Sequence, residues 1–329
     1  MKKPETHDED LHWADEKEVI SSNKPLLFLL KLFKIFPTNV VLLLIYPVGF
    51  FFFVFSKRAR QESLNFQKVL SEYTNGRIPK KISPYRQIVS FSLCILEKME
   101  GWLGKYKYEE LVLHDDDLGA LKQQLEEGKG AVIFCSHLGN VELLRSLSSF
   151  GENGVSREIS VTTIMELNST EIFNNMLKEL NPNAGFNVID PSEIGPDTIC
   201  TLQEQIEAGG LVVIAGDRTS ARSRNRFIRE TFLGRQADFP YGVYLIALLL
   251  KAPVYYCFGL RTKSATVNPK YNMFVERSKV DLDCPRGERE NCIKALCREF
   301  VEKLEKYTLQ FPEQWYNFYN FWLLNEGGN

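Results

Sequence analysis

The longest uncharged apolar run in the chain extends from Thr38 to Phe55. It follows an acidic tail with a basic start (residues 1–23) and a shorter apolar block, Pro25-Leu26-Leu27-Phe28-Leu29-Leu30. As a helix, such a run is about long enough to cross a hydrocarbon core. It lies too far from Met1, and has the wrong flanks, for a signal peptide. The four consecutive phenylalanines Phe50 to Phe53 suit lipid better than a protein core. The pattern predicts a membrane-associated helical segment, with Pro47 and Gly49 permitting a kink or a re-entrant hairpin. Lys31 and Lys34 precede the run and Lys57, Arg58 and Arg60 follow it, so loop charge assigns no orientation.

Beyond this segment, residues 60–128 carry apolar positions at helical spacing between charged faces, as from Tyr85 to Tyr108. The period then changes at Gly128-Lys129-Gly130. Short continuous apolar or β-branched runs at 131–136, 159–164, 186–189, 211–215, 254–260 and 271–276 read as strands. Helical stretches are expected at 141–150, 171–180, 197–208, 241–250 and 288–307. This alternation predicts an α/β fold, a mostly parallel sheet flanked by helices. Three parts follow: a tail and hydrophobic segment (1–60), a helical connecting region (61–128) and an α/β domain (129–329).

Composition narrows the function. With 40 basic and 42 acidic residues, the formal charge of -2 lacks the basic balance of a general nucleic-acid binder. The seven cysteines form no Cys-x-x-Cys pair. They fit a reducing compartment and offer no zinc site, and no bound cofactor or metal is expected.

Chemistry concentrates behind the first strand of the alternating region, in Ser136-His137-Leu138-Gly139-Asn140-Val141-Glu142. His137 stands at the carboxyl end of that strand, where parallel α/β sheets bind ligands. Asn140 is a candidate N-cap, which would put Glu142 in the first helical turn, within reach of the imidazole. Glu142 would then fix the tautomer and steady the imidazolium formed when the other nitrogen takes a proton. Gly139 would let a substrate approach the backbone, and amides at the helix start would face an oxyanion. No nucleophile-elbow serine is present. On spacing alone, a capping histidine beside an incidental glutamate is an equal reading.

His137-Leu138-Gly139-Asn140-Val141-Glu142 resembles the His-x4-Asp/Glu motif of the lysophospholipid acyltransferase superfamily. The surrounding residues are closer to its lipid A late acyltransferase (lauroyl/myristoyl) branch and to related predicted bacterial acyltransferases. Gly216-Asp217-Arg218, Phe232-Leu233-Gly234-Arg235-Gln236-Ala237 with Pro240, Ala252-Pro253-Val254 and Pro312-Glu313-Gln314-Trp315 resemble further segments of that branch, in order. The resemblance implies His137 as general base and Glu142 as its orienting acid. It implies a fatty acyl thioester of acyl carrier protein or coenzyme A as donor and a hydroxyl or amine of a lipid-like molecule as acceptor. Membrane lipids become partners, and the expected place is the inner membrane with the catalytic domain facing the cytoplasm. Where lipid A enzymes carry an Arg after the second strand, this chain has Met165-Glu166-Leu167-Asn168, which leaves the acceptor open. A hydrolase using the same dyad on water, or a non-catalytic membrane or carrier-protein binding module, are the alternatives.

A cluster of Arg218, Arg222, Arg224, Arg226, Arg229 and Arg235 reads as one loop suited to phosphate or an acidic carrier surface. Its ordinary alternative is a solvated charge run. Without interleaved aromatics it does not suit nucleic acid. Arg218 is a candidate substrate ligand, and Asp217 is an acid beside the site, an arginine partner or the cap of its turn.

Overall fold

The computed structural model describes residues 38–78, 82–102, 111–114, 117–140, 155–165, 187–218, 226–263 and 270–322. Three helices come first: α1 (Thr38–Phe55), α2 (Lys57–Tyr73) and α3 (Pro84–Trp102). The sheet region follows with β1 (Leu111–His114), α4 (Leu118–Glu126), β2 (Ala131–Cys135), β3 (Val161–Ile164), β4 (Asn187–Ile189), α5 (Pro196–Glu207) and β5 (Leu211–Ala215). It closes with β6 (Phe227–Phe232), β7 (Arg235–Pro240), α6 (Tyr241–Leu250), β8 (Val254–Arg261), β9 (Tyr271–Arg277) and α7 (Arg289–Gln310).

Seven strands form one sheet in the order β1-β9-β8-β2-β5-β3-β4. Every junction is parallel except β8 with β9. The expected mixed α/β fold with a mostly parallel sheet is therefore present. The period-2 alternation of strands sends Val132, Phe134, Val212, Ile214, Tyr256 and Phe258 to one face, where they meet α6, α7 and Trp315. Ala131, Ile133, Cys135, Leu211, Val213, Tyr255 and Cys257 go to the other face, under α4. Both faces are covered, which is why these strands read as continuous apolar runs rather than alternating ones.

Three readings change. Residues 60–128 are not all helical, because β1 lies inside them and pairs in parallel with β9 at the sheet edge. Its four residues, Leu-Val-Leu-His, are too short for period to separate strand from helix. The stretch read as one arginine loop contains an antiparallel hairpin of β6 and β7, closed by Leu233-Gly234 with both residues at positive φ. Finally, Pro47 sits inside an unbroken α1. The helices expected at 141–150 and 171–180 lie outside the described residues.

Among the described residues no helix is long and apolar enough to cross a membrane. Yet α1 turns only a narrow stripe inward, with Ile45 and Gly49 buried. A Cβ on Gly49 would stand 2.9 Å from Val89 Cγ2, so glycine lets α1 lie close on α3. Leu43, Leu44, Val48, Phe50, Phe51, Val54 and Phe55 all face outward.

Helix α3 in turn braces the sheet. Its Glu97 forms a buried ion pair with Arg261 at the end of β8, 2.9 Å apart, and also accepts from the Tyr271 hydroxyl. Gln87 donates to the carbonyl of Trp315, and Ser90 hydrogen-bonds the Tyr316 hydroxyl at 2.8 Å. Removing one member of a buried pair leaves a charge without compensation. Glu97→Ala is expected to destabilise the protein by about 3–5 kcal/mol, seen as a lower midpoint in urea unfolding. A midpoint equal to wild type would show that α3 does not depend on this pair.

Candidate active site

Strands β2 and β5 are paired in parallel, with Cys135 opposite Ala215. The ladder continues one step further, where Gly216 N–H donates to the Cys135 carbonyl at 2.9 Å. His137 and Asp217 each stand two residues beyond that registered pair, so sheet register alone brings them side by side at the carboxyl edge. The contact is double. His137 N–H donates to Asp217 Oδ2 at 2.8 Å, and His137 Nδ1 lies 2.9 Å from Asp217 Oδ1. A carboxylate can only accept, so Nδ1 carries the proton and Nε2 is left as the basic atom.

The segment after α7 completes the site. Leu138 and Trp315 form an antiparallel bridge, and Tyr316 N–H donates to the His137 carbonyl at 3.0 Å. This places Asn317, whose amide donates to Asp217 Oδ2 at 3.0 Å. Arg218 Nε donates to Asn317 Oδ1 at 2.7 Å, fixing which way that amide points. The Arg218 guanidinium also reaches the Tyr316 carbonyl and lies 5.6 Å from the centre of the Tyr319 ring. Trp315 is wholly buried, stacked on Phe66 of α2 and tilted against Phe232 of β6, so the segment is anchored two residues before Asn317.

Gly139 has φ +78°, and a Cβ there would stand 2.3 Å from the Gly259 carbonyl. The glycine thus serves close approach of the loop to β8, a packing reason alongside the expected substrate approach. Asn140 is buried, and its N–H donates to the Gly259 carbonyl at 2.8 Å. Gly139 N–H donates to the Gln314 carbonyl at 2.9 Å, and Leu138 N–H to Ser136 Oγ at 3.3 Å. All three amides are engaged, to β8, to the segment after α7 and within the loop. Those expected for an oxyanion at the helix start begin at Val141, outside the described residues.

Asp217 is fully buried, while the His137 side chain keeps 31% of its surface exposed. Burial works against the Asp217 carboxylate, but His137, Arg218 and Asn317 outweigh it and hold its pKa down at about 2. For His137, burial of the ring and then the charge of Arg218 lower the pKa below the ordinary 6.5, against the opposing pull of Asp217. A neutral imidazole at pH 7 follows, which is the form a base needs.

Of the residues singled out in the sequence, His137, Gly139, Asn140, Asp217 and Arg218 meet around this edge. Glu142, Arg222 and Arg224 lie outside the described residues. Arg235 does not join them: at the hairpin tip it pairs with Glu72 of α2 at 2.5 Å. Arg229 pairs across the hairpin with Asp238 at 2.7 Å, and Arg226 stacks on Tyr241. The arginines are therefore dispersed, because a hairpin turns alternate residues to opposite faces. Asn317 was not foreseen from sequence. Its only signal was the Pro312-Glu313-Gln314-Trp315 match just before it. Among the described residues no cluster of His, Cys, Asp and Glu is suited to a metal ion.

The family model described as bacterial lipid A biosynthesis acyltransferase matches residues 26–324. No curated protein matches the chain.

Removing the Asp217 charge unties the Nδ1 tautomer and lowers the His137 pKa further. Asp217→Asn is expected to cut kcat by about 10²- to 10⁴-fold and to shift the acidic limb of kcat/KM, which in the wild type falls below pH 6.5, to lower pH. An unmoved limb would detach Asp217 from the titrating base.

Proposed function

We infer how catalysis proceeds in this chain, which belongs to the bacterial lipid A biosynthesis acyltransferase family and is therefore an acyltransferase acting in lipid biosynthesis. His137 is the general base for transfer of a fatty acyl chain from a thioester to a hydroxyl or amine of a lipid-like acceptor. The observation that carries this reading is the His137–Asp217 pair, which holds Nδ1 and leaves Nε2 for substrate.

As the acceptor oxygen or nitrogen attacks the thioester carbonyl, Nε2 takes its proton and a tetrahedral intermediate forms. The intermediate collapses with cleavage of the carbon–sulfur bond, and the imidazolium returns its proton to the departing thiolate. Asp217 lies against the positive ring during the interval, and Asn317 keeps the carboxylate oriented. The Nδ1 contact belongs to Asp217, so Glu142, the acid of the motif, is assigned to steadying the imidazolium as a second negative charge rather than to fixing the tautomer. The donor is an acyl carrier protein or coenzyme A thioester. Arg218 contributes positive charge beside the base, suited to the phosphate both donors carry.

The outward side chains of α1 support a membrane location. Those described are apolar throughout, and a helix hydrophobic on its outside needs a non-aqueous neighbour. We place this face in the lipid of the inner membrane, with the catalytic edge on the cytoplasmic side, where thioester donors are made.

His137→Ala is expected to abolish transfer of radiolabelled acyl groups to a cell lipid extract, with loss of at least about 10²-fold, while leaving membrane association intact. Full transfer by this variant would refute the base assignment. Product analysis separates transfer from hydrolysis: transfer yields an acylated lipid whose amount depends on added acceptor. Acceptor-independent free fatty acid as the main product would make the chain a hydrolase.

A further inference from the structure

A tetrahedral intermediate at His137 puts negative charge on the former carbonyl oxygen, and that charge needs a partner. The catalytic loop supplies none at Leu138, Gly139 or Asn140, whose amides are engaged. The Arg218 guanidinium is committed as well: Nε donates to Asn317 Oδ1, and a terminal nitrogen reaches the Tyr316 carbonyl.

A second cation stands on α3. This helix turns one stripe toward the catalytic edge, with Phe91, Cys94 and Lys98 at the i, i+3 and i+7 positions that share a face. Phe91 meets the Tyr316 and Phe318 rings, each with centroids 5.4 Å away. Cys94 Sγ donates to the Gly139 carbonyl at 3.6 Å. Lys98 is one turn further along, half-buried, and close enough to His137 for its charge to lower the pKa of that ring. No carboxylate among the described residues pairs with Lys98. The buried charges nearby are matched, Arg261 by Glu97 and Asp217 by His137 and Asn317. A cation beside the base makes it less basic, and so opposes the first proton transfer. Such a group is explained when a negative charge arrives there during turnover.

We propose that Lys98 is a further catalytic residue, whose ammonium donates a hydrogen bond to the oxyanion of the tetrahedral intermediate. The acceptor adds to the thioester carbonyl carbon, its proton passes to His137 Nε2, and the carbonyl π pair moves onto oxygen. Lys98 keeps its protons throughout, and its flexible four-carbon stem lets the ammonium meet that oxygen. On collapse the oxygen re-forms the carbonyl, the carbon–sulfur pair leaves on sulfur, and the imidazolium returns its proton there. The proposal rests on acyl transfer through His137, and its test separates the two.

Full-length wild type, Lys98→Met and Lys98→Arg are compared in transfer to a cell lipid extract, with myristoyl thioesters of acyl carrier protein and of coenzyme A as donors. Lys98→Met removes the charge and keeps the apolar stem. It is expected to lower kcat about 10²- to 10³-fold, with KM for the thioester changed less than about threefold. Lys98→Arg, which keeps a cation, should recover about tenfold or more of that loss. Among the described residues, the charged groups acting on the His137 ring are Asp217 and Arg218 after β5 and Lys98 on α3. Lys98 lowers the His137 pKa, so its removal raises it. The acidic limb of kcat/KM should therefore move to higher pH, opposite to the move expected for Asp217→Asn. Lys98→Gln decides in place of Lys98→Met if the latter proves unfolded by circular dichroism. Undiminished kcat in Lys98→Met, with His137→Ala inactive, would overturn the role of Lys98 and leave the base in place; transfer by His137→Ala would remove both. Equal losses in Lys98→Met and Lys98→Arg, with an unmoved acidic limb, would reduce Lys98 to packing. A raised KM at unchanged kcat would also overturn the oxyanion role, and would make Lys98 a ligand for an anionic group of the bound substrate.

Discussion

The site depends on one buried carboxylate. Asp217 receives three donors, the His137 amide, the His137 ring and the Asn317 amide, at distances of 2.8 to 3.0 Å. A buried charge is tolerated only when it is compensated, so each donor is both a structural necessity and a constraint on the next group. The backbone donor fixes where the loop leaves β2. The ring donor fixes the tautomer, and the Asn317 donor ties in the segment after α7. Arg218 closes the set by orienting Asn317 and adding positive charge. Burial of the ring, and then the Arg218 charge that helps to hold Asp217 ionised, leave His137 less basic than an ordinary histidine. Structure and reactivity are here one electrostatic arrangement.

Around this edge, α3 is the mechanical link. One side of it lies on α1 through the Gly49–Val89 approach. Others of its contacts go to Arg261, Trp315 and Tyr316, all next to the catalytic loop. Whatever positions α1 therefore positions the base, through side chains packed too closely to deform independently. An apolar outer helix and a polar inner site are joined through α3, with Phe66 of α2 stacked on Trp315 beside it.

Much of this was legible in the chain. Leu211–Ala215, Tyr241–Leu250 and Thr38–Phe55 could be read to the residue, because long or fully buried apolar runs have only one way to be covered. The failures are equally physical. β1 is four residues at a sheet edge, and its identity comes from pairing with β9, more than 150 residues away. The β6–β7 hairpin hid behind its arginines, whose partners Glu72 and Asp238 are not visible in local spacing. His137 announced itself by its place after a strand. Its Asp217 partner was visible only as an acid after another strand, since adjacency of β2 and β5 is a fact of topology. Asn317 depends on tertiary structure entirely.

The central claim is that His137 is neutral at pH 7, kept so by burial and Arg218, with its proton held on Nδ1 by Asp217. The chain has only four histidines, so selective ¹⁵N-histidine labelling allows the ring nitrogens of His137 to be assigned by comparison with His137→Gln. At pH 7 the account predicts a neutral ring protonated at Nδ1, with that preference lost in Asp217→Asn. A ring protonated at Nε2, or a fully cationic ring at pH 7, would contradict it.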